Sequence, residues 1–437
     1  MITSVVGKTF LEAYNVKYGK YYTAKEFFEK EYWEIFYNHS KYLQWVTNSP
    51  FVQMKKGQKP NLLKTDERIE KLENLFGKVS TLEPDASFAL GYPAAEEKSY
   101  ASTSGQVSDI LIPSDEENVY LSWIGSGLAI GVAGGFSILF DDPKITLQTY
   151  EGWKIYRKYL NDPLHDRMRG NQISTWNGQW LTYSYGKNFD ENFDFRALQD
   201  EGIFKINDSL IEITTVNWSQ LFFSLSLHFP KDEKMGYVFG FGQTNKTIGF
   251  IPFQFKSGTK LKDVYKQLFG GSYSNPKEFE SLFGMHIKRA CELGSIGLMA
   301  LRPDSLTKYM NDTKNLSFKK EEDTINYHAY KTWLVAMLTR NKEEITDYTM
   351  ELARVIHNYR TEAKKLDRKT LIEQELFGSS SKRGFIDGLT TMIKDIEGED
   401  IDVIKELKDE VHLMTNEEFT YFNTLLKFDY AFVEKKS

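Results

Sequence analysis

The chain has 437 residues, is 41% hydrophobic and 27% charged, and carries a formal net charge of −6. That length holds two or three domains with ordinary cores, and the composition excludes a disordered or collagen-like chain. The single cysteine, Cys291, excludes an internal disulfide framework and a cysteine-based zinc site, and it fits a reducing compartment, so a cytoplasmic location is expected.

In chain order, the opening "MITSVVGKTF" lacks a long apolar run before a small-residue cleavage site, so no signal peptide is expected. Residues 23–47 read as helical. Thr23 and Glu26 form a capping box, and Phe27, Phe28, Tyr32 and Phe36 recur near helical spacing. A second helix is predicted at 65–76, capped by Thr65 or Asp66. From about 88 to 255 strand signals dominate, in "NVYLSWI", "GQWLTYSYG", "LIEITTVNW", "LFFSLSLHF", "GYVFGFG" and "IGFIPFQF", with helices such as 150–160 between them. Residues 275–310 return to helical character.

The twenty residues from Leu121 to Phe140 carry no charge. Their length suits a membrane span, but Gly125, Gly127, Gly131, Gly134 and Gly135 each weaken a helix by about 1 kcal/mol, and the near flanks are acidic. A phosphate-binding loop needs a lysine after its last glycine and then a helix, and neither follows. Alternation of Leu128, Ile130 and Val132 with small residues, resumed by Phe136, Ile138 and Phe140 after Gly134-Gly135, predicts a buried hairpin. The expected pairs are Ala133–Phe136, Gly131–Ile138 and Ala129–Phe140, with Gly125-Ser126-Gly127 turning in from a preceding strand.

Residues 311–326 are polar and read as a linker. Beyond them Tyr327, Tyr330, Leu334 and Met337 form one helical stripe, and Ile345, Tyr348, Leu352, Ile356 and Tyr359 another. A last helix opens on the capping box of Thr415 and Glu418. The expected fold class is α+β: a mixed, mainly antiparallel β-rich N-terminal domain with helices over 1–310, a linker at 311–326, and an antiparallel helical bundle over 327–437.

Motifs for chemistry are sparse. No two of the seven histidines stand four apart, so no zincin pattern exists, and no Gly-x-Ser-x-Gly is present. "GFGQTNKTIGF" (240–250) places Lys246-Thr247 where a Walker loop has Lys-Ser/Thr, but Asn245 replaces the glycine and a strand follows. The reading is a hairpin turn, with nucleotide binding through Lys246 as the alternative. No catalytic residue, cofactor or metal is expected.

Charge is segregated. Ile35–Thr65, Arg167–Phe189 and Met235–Lys262 contain lysine or arginine and no aspartate or glutamate. Phosphates are held by lysine, arginine and backbone N–H groups, and bases are read by asparagine, glutamine and arginine. The expected DNA contacts are Lys55, Lys56, Gln58 and Lys59 in "QMKKGQK", and Arg167, Arg169, Asn171, Gln172, Asn177 and Gln179 in "RMRGNQISTWNGQW". Lys246 joins them, with Lys382 and Arg383 in the bundle loop "GSSSKRG". The bundle itself is dipolar: Arg354–Arg383 holds eight basic and four acidic residues, and Asp387–Glu418 eleven acidic and three basic. Such runs serve as solvated faces or as docking surfaces.

The opening "GKTFLEAYNVKYGKYYTAKEFFEKEYWEIFYNHSKYLQWVTNSPF", the closing "TNEEFTYFNTLLKFDYAF" and the division near 311–326 resemble the large subunit of type I CRISPR surveillance complexes (Cascade). The resemblance implies a non-enzymatic subunit that reads a protospacer-adjacent motif in duplex DNA and steadies the opened target. Its implied partners are guide RNA and target DNA, backbone and small subunits, and a separate or recruited nuclease, with no membrane. Two other readings remain: a nucleotide-binding enzyme using Lys246, and a docking protein that touches no nucleic acid.

Overall fold

Packing divides the chain into two units, Met1–Phe253 and Gln254–Ser437. The structure, a computed structural model, describes residues 1–46, 49–81, 115–186, 189–190, 192, 194–196, 202–207, 209–240, 246–270, 283–285, 287–312, 314–340, 349–362, 366–398 and 400–436. The readings that fall on 88–114, 241–245, 275–282, Ile345 and Tyr348 lie outside the described residues. The fold is mixed α+β, 62% helical, with a small antiparallel sheet. Among the described residues no helix is long and apolar enough to cross a membrane.

The first unit begins with α1 (Ile2–Tyr18), then α2 (Ala24–Phe27), a π-helical turn (Phe28–Tyr32) and α3 (Trp33–Phe36). Next come α4 (Thr65–Thr81), α5 (Glu116–Gly127), β1 (Ile130–Val132), β2 (Phe136–Phe140), α6 (Pro143–Asn161) and α7 (Ile173–Ser184). The two-stranded ladder of β3 (Phe204–Ile206) and β4 (Ile211–Ile213) follows, then α8 (Trp218–His228), β5 (Glu233–Gly240) and β6 (Lys246–Gln254). The main sheet has the order β1-β2-β5-β6.

The uncharged stretch is half helix and half hairpin. "NVYLSWI" is helical, and Gly125 is a packing residue rather than part of a turn. A Cβ on Gly125 would overlap the Thr3 carbonyl of α1, and one on Gly7 would overlap the Leu121 carbonyl of α5. The two backbones therefore touch, and Thr3 Oγ1 and Ser122 Oγ share a hydrogen bond of 2.7 Å across the crossing. The hairpin turns at Gly134-Gly135, both with positive φ (89° and 75°). Its register is one residue from the expected one: Ile130 faces Ile138, Gly131 faces Ser137 and Val132 faces Phe136. The cause is Ala133, whose N–H donates to Val216 O (2.9 Å) and whose carbonyl accepts from Trp218 Nε1 (2.9 Å), which draws it out of the ladder.

The expected β-rich domain is corrected to a largely helical one. "GQWLTYSYG" belongs mostly to α7, and "LFFSLSLHF" to α8. Within "LIEITTVNW" only Ile211–Ile213 is strand, while β5 and β6 stand where "GYVFGFG" and "IGFIPFQF" predict them. Aromatic rings fill the centre of this unit: Phe28, Tyr32, Phe36, Trp123 and Trp153 are all fully buried.

The second unit contains α9 (Lys256–Phe269), α10 (Ile287–Leu293), α11 (Leu306–Met310), α12 (Glu321–Leu338) and α13 (Thr349–Glu362). Then come α14 (Leu366–Thr370) with a π-helical turn (Leu371–Leu376), α15 (Lys382–Ile393), α16 (Asp400–Leu413) and α17 (Asn416–Lys436). The unit boundary lies at 253/254 rather than at 311–326. Phe269 of α9 stacks near His328 of α12, with ring centres 4.0 Å apart, and Lys260 Nζ donates to Thr339 O at 2.6 Å. The polar stretch also packs, through Leu316 and Phe318, which are 7% and 4% exposed.

Asp429 on α17 is fully buried and fully engaged. Its carboxylate accepts from Lys331 Nζ (2.8 and 2.9 Å), Tyr327 Oη (2.7 Å) and Thr349 Oγ1 (2.6 Å), joining α12, α13 and α17 at one point. A buried pair of this kind is held by such extra hydrogen bonds, because the desolvation of two charges consumes most of their attraction.

Candidate nucleic-acid interface

Two segments of the first unit, 53–59 and 166–171, carry predicted contacts, and a third, 35–46, holds the latter in place. A single buried arginine organises the 35–46 segment. Arg157 of α6 donates through Nε (2.8 Å) and Nη2 (2.5 Å) to Ile35 O, and through Nη2 (3.1 Å) to Lys41 O. Burial pushes its pKa down to about 9, so it remains a cation at neutral pH. It pins the chain where α3 ends and the 37–42 turn begins.

That turn holds the 166–171 segment. Lys41 Nζ donates to Asp166 O (2.5 Å), and the Asn171 N–H donates to Tyr42 O (2.6 Å). Asn171 has φ 54°, a left-handed conformation asparagine tolerates, and this aims its N–H at Tyr42. On the other side Met168 bridges to Ile211: Arg169 N donates to Ile211 O and Ile211 N to Arg167 O, both at 3.1 Å. Arg167 and Arg169 are therefore exposed side chains on a backbone held from two directions. Arg169 also pairs with Glu212 at 3.1 Å.

The 53–59 segment leans on α4. Gln58 folds back to accept from Lys55 N (3.1 Å) and donates to Glu67 (2.7 Å), while Lys55 pairs with Glu70 (2.9 Å). Lys71, 7% exposed, donates to Pro50 O (3.2 Å) and to Gln53 O. Between loop and helix lies a groove of about 720 Å³, lined by Lys55, Gln58, Glu67, Glu70, Lys71 and Asn74 among others, and hence of mixed charge. Lys56 and Lys59 are exposed, and no carboxylate among the described residues pairs with either. Arg68 of α4 stands close enough to act electrostatically on His39, Tyr42 and Arg157, which places α4 beside the 35–46 segment. His39, half-buried beside the Arg157 and Arg68 guanidinium groups, has its pKa pushed down to about 4, chiefly by desolvation.

The structure thus ties the segment of Arg167, Arg169 and Asn171 to the 37–42 turn and holds Lys55 and Gln58 against α4, and it turns three residues of the polar run to neighbouring backbone. Asn177 is fully buried, and its amide donates to Gly127 O (2.8 Å) and Ala129 O (2.9 Å). Gln179 donates to Thr214 O (2.7 Å) and Oγ1 (2.8 Å), and Gln172 Oε1 accepts from Ile213 N (3.3 Å). The reason is local: the chain is loop only as far as Gln172, and from Ile173 it is a helix whose polar side chains satisfy neighbouring backbone. Lys246 opens β6. Lys382 and Arg383 belong to the second unit, at the start of α15, where Lys382 Nζ is tied to Met414 O (2.6 Å) and His412 O (3.3 Å) and Arg383 is exposed.

The residues not foreseen are Arg157 and Arg68. Each sits in an amphipathic helix among other polar positions, and nothing in spacing marks a guanidinium that will be drawn inward. Among the described residues no group of three or more His, Cys, Asp or Glu side chains could hold a metal ion. No family model, curated protein or solved structure matches the chain.

Proposed function

We propose that this chain is a non-catalytic DNA-recognition subunit of an RNA-guided surveillance complex of the CRISPR type. In this reading it contacts duplex DNA beside the target through segments 53–59 and 166–171, and steadies the target once opened. One observation carries it: exposed Arg167 and Arg169 stand on backbone pinned to the 37–42 turn by Lys41 and Asn171, with Arg157 fixing that turn, and exposed Lys56 and Lys59 stand on the 53–59 segment held against α4. Fixed backbone lets such side chains meet phosphates at little entropic cost, and the loop polar groups add base contact. A guide supplies the long sequence by pairing, so the protein needs only a short flank.

The test is reconstitution with a guide RNA and backbone subunits. Charge reversal at Lys56 and Lys59, and separately at Arg167 and Arg169, is expected to abolish retention of duplex target. It should also flatten the log–log salt dependence by about 0.9 for each phosphate that is no longer neutralised. Retention unchanged by both variants refutes the proposal. It would favour the docking reading, which the ion pairs Lys55–Glu70 and Arg169–Glu212 support by lowering the net positive charge of the region.

A further inference from the structure

Seven of the eight tryptophans are buried at 7% exposure or less, and Trp45 is 47% exposed. An indole left in water forgoes roughly 1.5–3 kcal/mol of burial that the other seven collect. Its backbone is not loose. Tyr42, Leu43 and Val46 on either side are 5%, 0% and 2% exposed. Gln44, the preceding residue, accepts from Tyr32 Oη at 2.9 Å and donates to Ser126 Oγ at 2.8 Å. Leu43 N donates to Phe36 O at 3.1 Å. Trp45 is thus held outward by anchored neighbours, three residues from the Tyr42 carbonyl that fixes Asn171 and four from Lys41, which is bonded to Asp166 O. The sequence from Ile35 to Thr65 holds no carboxylate, and the exposed carboxylate beside Lys41 is Asp166.

We infer that Trp45 is a stacking platform for an unpaired nucleobase. This rests on the DNA-binding reading above and assigns a role that reading does not contain. An outward aromatic face, on a turn that carries Lys41 and is bonded to the segment of Arg167 and Arg169, matches the two needs of single-stranded nucleic acid, a π surface for a base and positive charge for the backbone. Paired bases are stacked on both sides within a duplex, so the platform discriminates opened from closed DNA. A protein partner is the competing occupant, because exposed tryptophan and arginine also serve protein interfaces, and the experiment separates the two. Tyr42, Leu43 and Val46 are buried, and the exposed groups of the segment bonded to Lys41 and Tyr42 are Asp166, Arg167, Arg169 and Asn171.

The experiment uses the full chain with two probes, a short DNA duplex and the same duplex carrying a central unpaired bubble. Trp45, the one solvent-open indole, dominates collisional quenching of tryptophan fluorescence by acrylamide. Bubble DNA is expected to protect it and duplex DNA to leave it quenchable. Trp45→Ala should weaken bubble binding by roughly five- to a hundredfold while sparing duplex binding, and Trp45→Phe should stay within about threefold of wild type. Because the side chain is exposed, both variants should keep the wild-type circular dichroism spectrum. Three results overturn the inference and leave the duplex reading standing: equal losses on both probes, wild-type affinity in Trp45→Ala, or protection only on addition of a protein partner. If the wild-type chain binds neither probe, the DNA-binding reading falls and this inference falls with it.

Discussion

Asn177 donates to two backbone carbonyls, Gly127 O and Ala129 O, at the junction where α5 gives way to β1. Asn177→Ala should therefore destabilise the first unit by about 1–3 kcal/mol in urea unfolding and leave DNA affinity per folded molecule unchanged. A contact residue would show the opposite pattern. The Asn/Gln-rich run around it stands out by composition, and composition does not say which amides turn inward. Arg167, Arg169 and Asn171 are legible as exposed loop residues because Gly170 and the mixed polar run mark a turn. Asn177 is not, because it lies more than one helical turn further on, inside a segment whose tryptophans, Trp176 and Trp180, bury that face. Trp45 shows the same limit from the other side: nothing in the sequence separates the one outward tryptophan from the seven inward ones.

Helices that meet solvent on one face are legible in the sequence, and helices buried all round are not. α4 begins at Thr65 as the pattern predicts, and the boxes Thr23/Glu26 and Thr415/Glu418 cap helices as expected. α5, α7 and α8 are apolar on most sides, so they lack the 3.6-residue stripe, and their aromatic content imitates strands. Asn217 and Gln220 form a capping box at the start of α8 and are the signal that would have found it. The α1–α5 crossing depends on two positions that accept no side chain. Gly7→Ala and Gly125→Ala should each lower stability by about 3 kcal/mol, read as a shift in urea midpoint, since the clash is with backbone that cannot rotate away. Gly77→Ala, in α4 with open space around its Cα, is the control and should raise stability by up to about 1 kcal/mol.

At the scale of the whole molecule, the division into two units is legible in kind but not in place. Leu316 and Phe318 anchor a polar stretch that composition alone marks as a linker, and Phe269 commits α9 to the helical unit. Acid sensitivity should be readable in the first unit at His39, while the pKa of His328 in the second unit is also lowered by burial and by Lys331. His39 is held neutral when folded, its pKa lowered from 6.5 to about 4 by burial and by Arg157 and Arg68. The unfolded chain binds that proton first, so its contribution is complete above pH 6.5 and is lost as pH falls from 6.5 towards about 4. Unfolding midpoints across this range should decline less steeply in His39→Gln than in wild type. In the second unit, the counter-charge of Lys331 arrives 98 residues later in the chain, on α17. During synthesis on the ribosome, α12 therefore waits with an uncompensated ammonium at a position destined for the interior, and closure of that unit is held back until Asp429 emerges. Arg157 of the first unit, also buried, faces no such delay, because the carbonyls of Ile35 and Lys41 that receive it are already made when it appears.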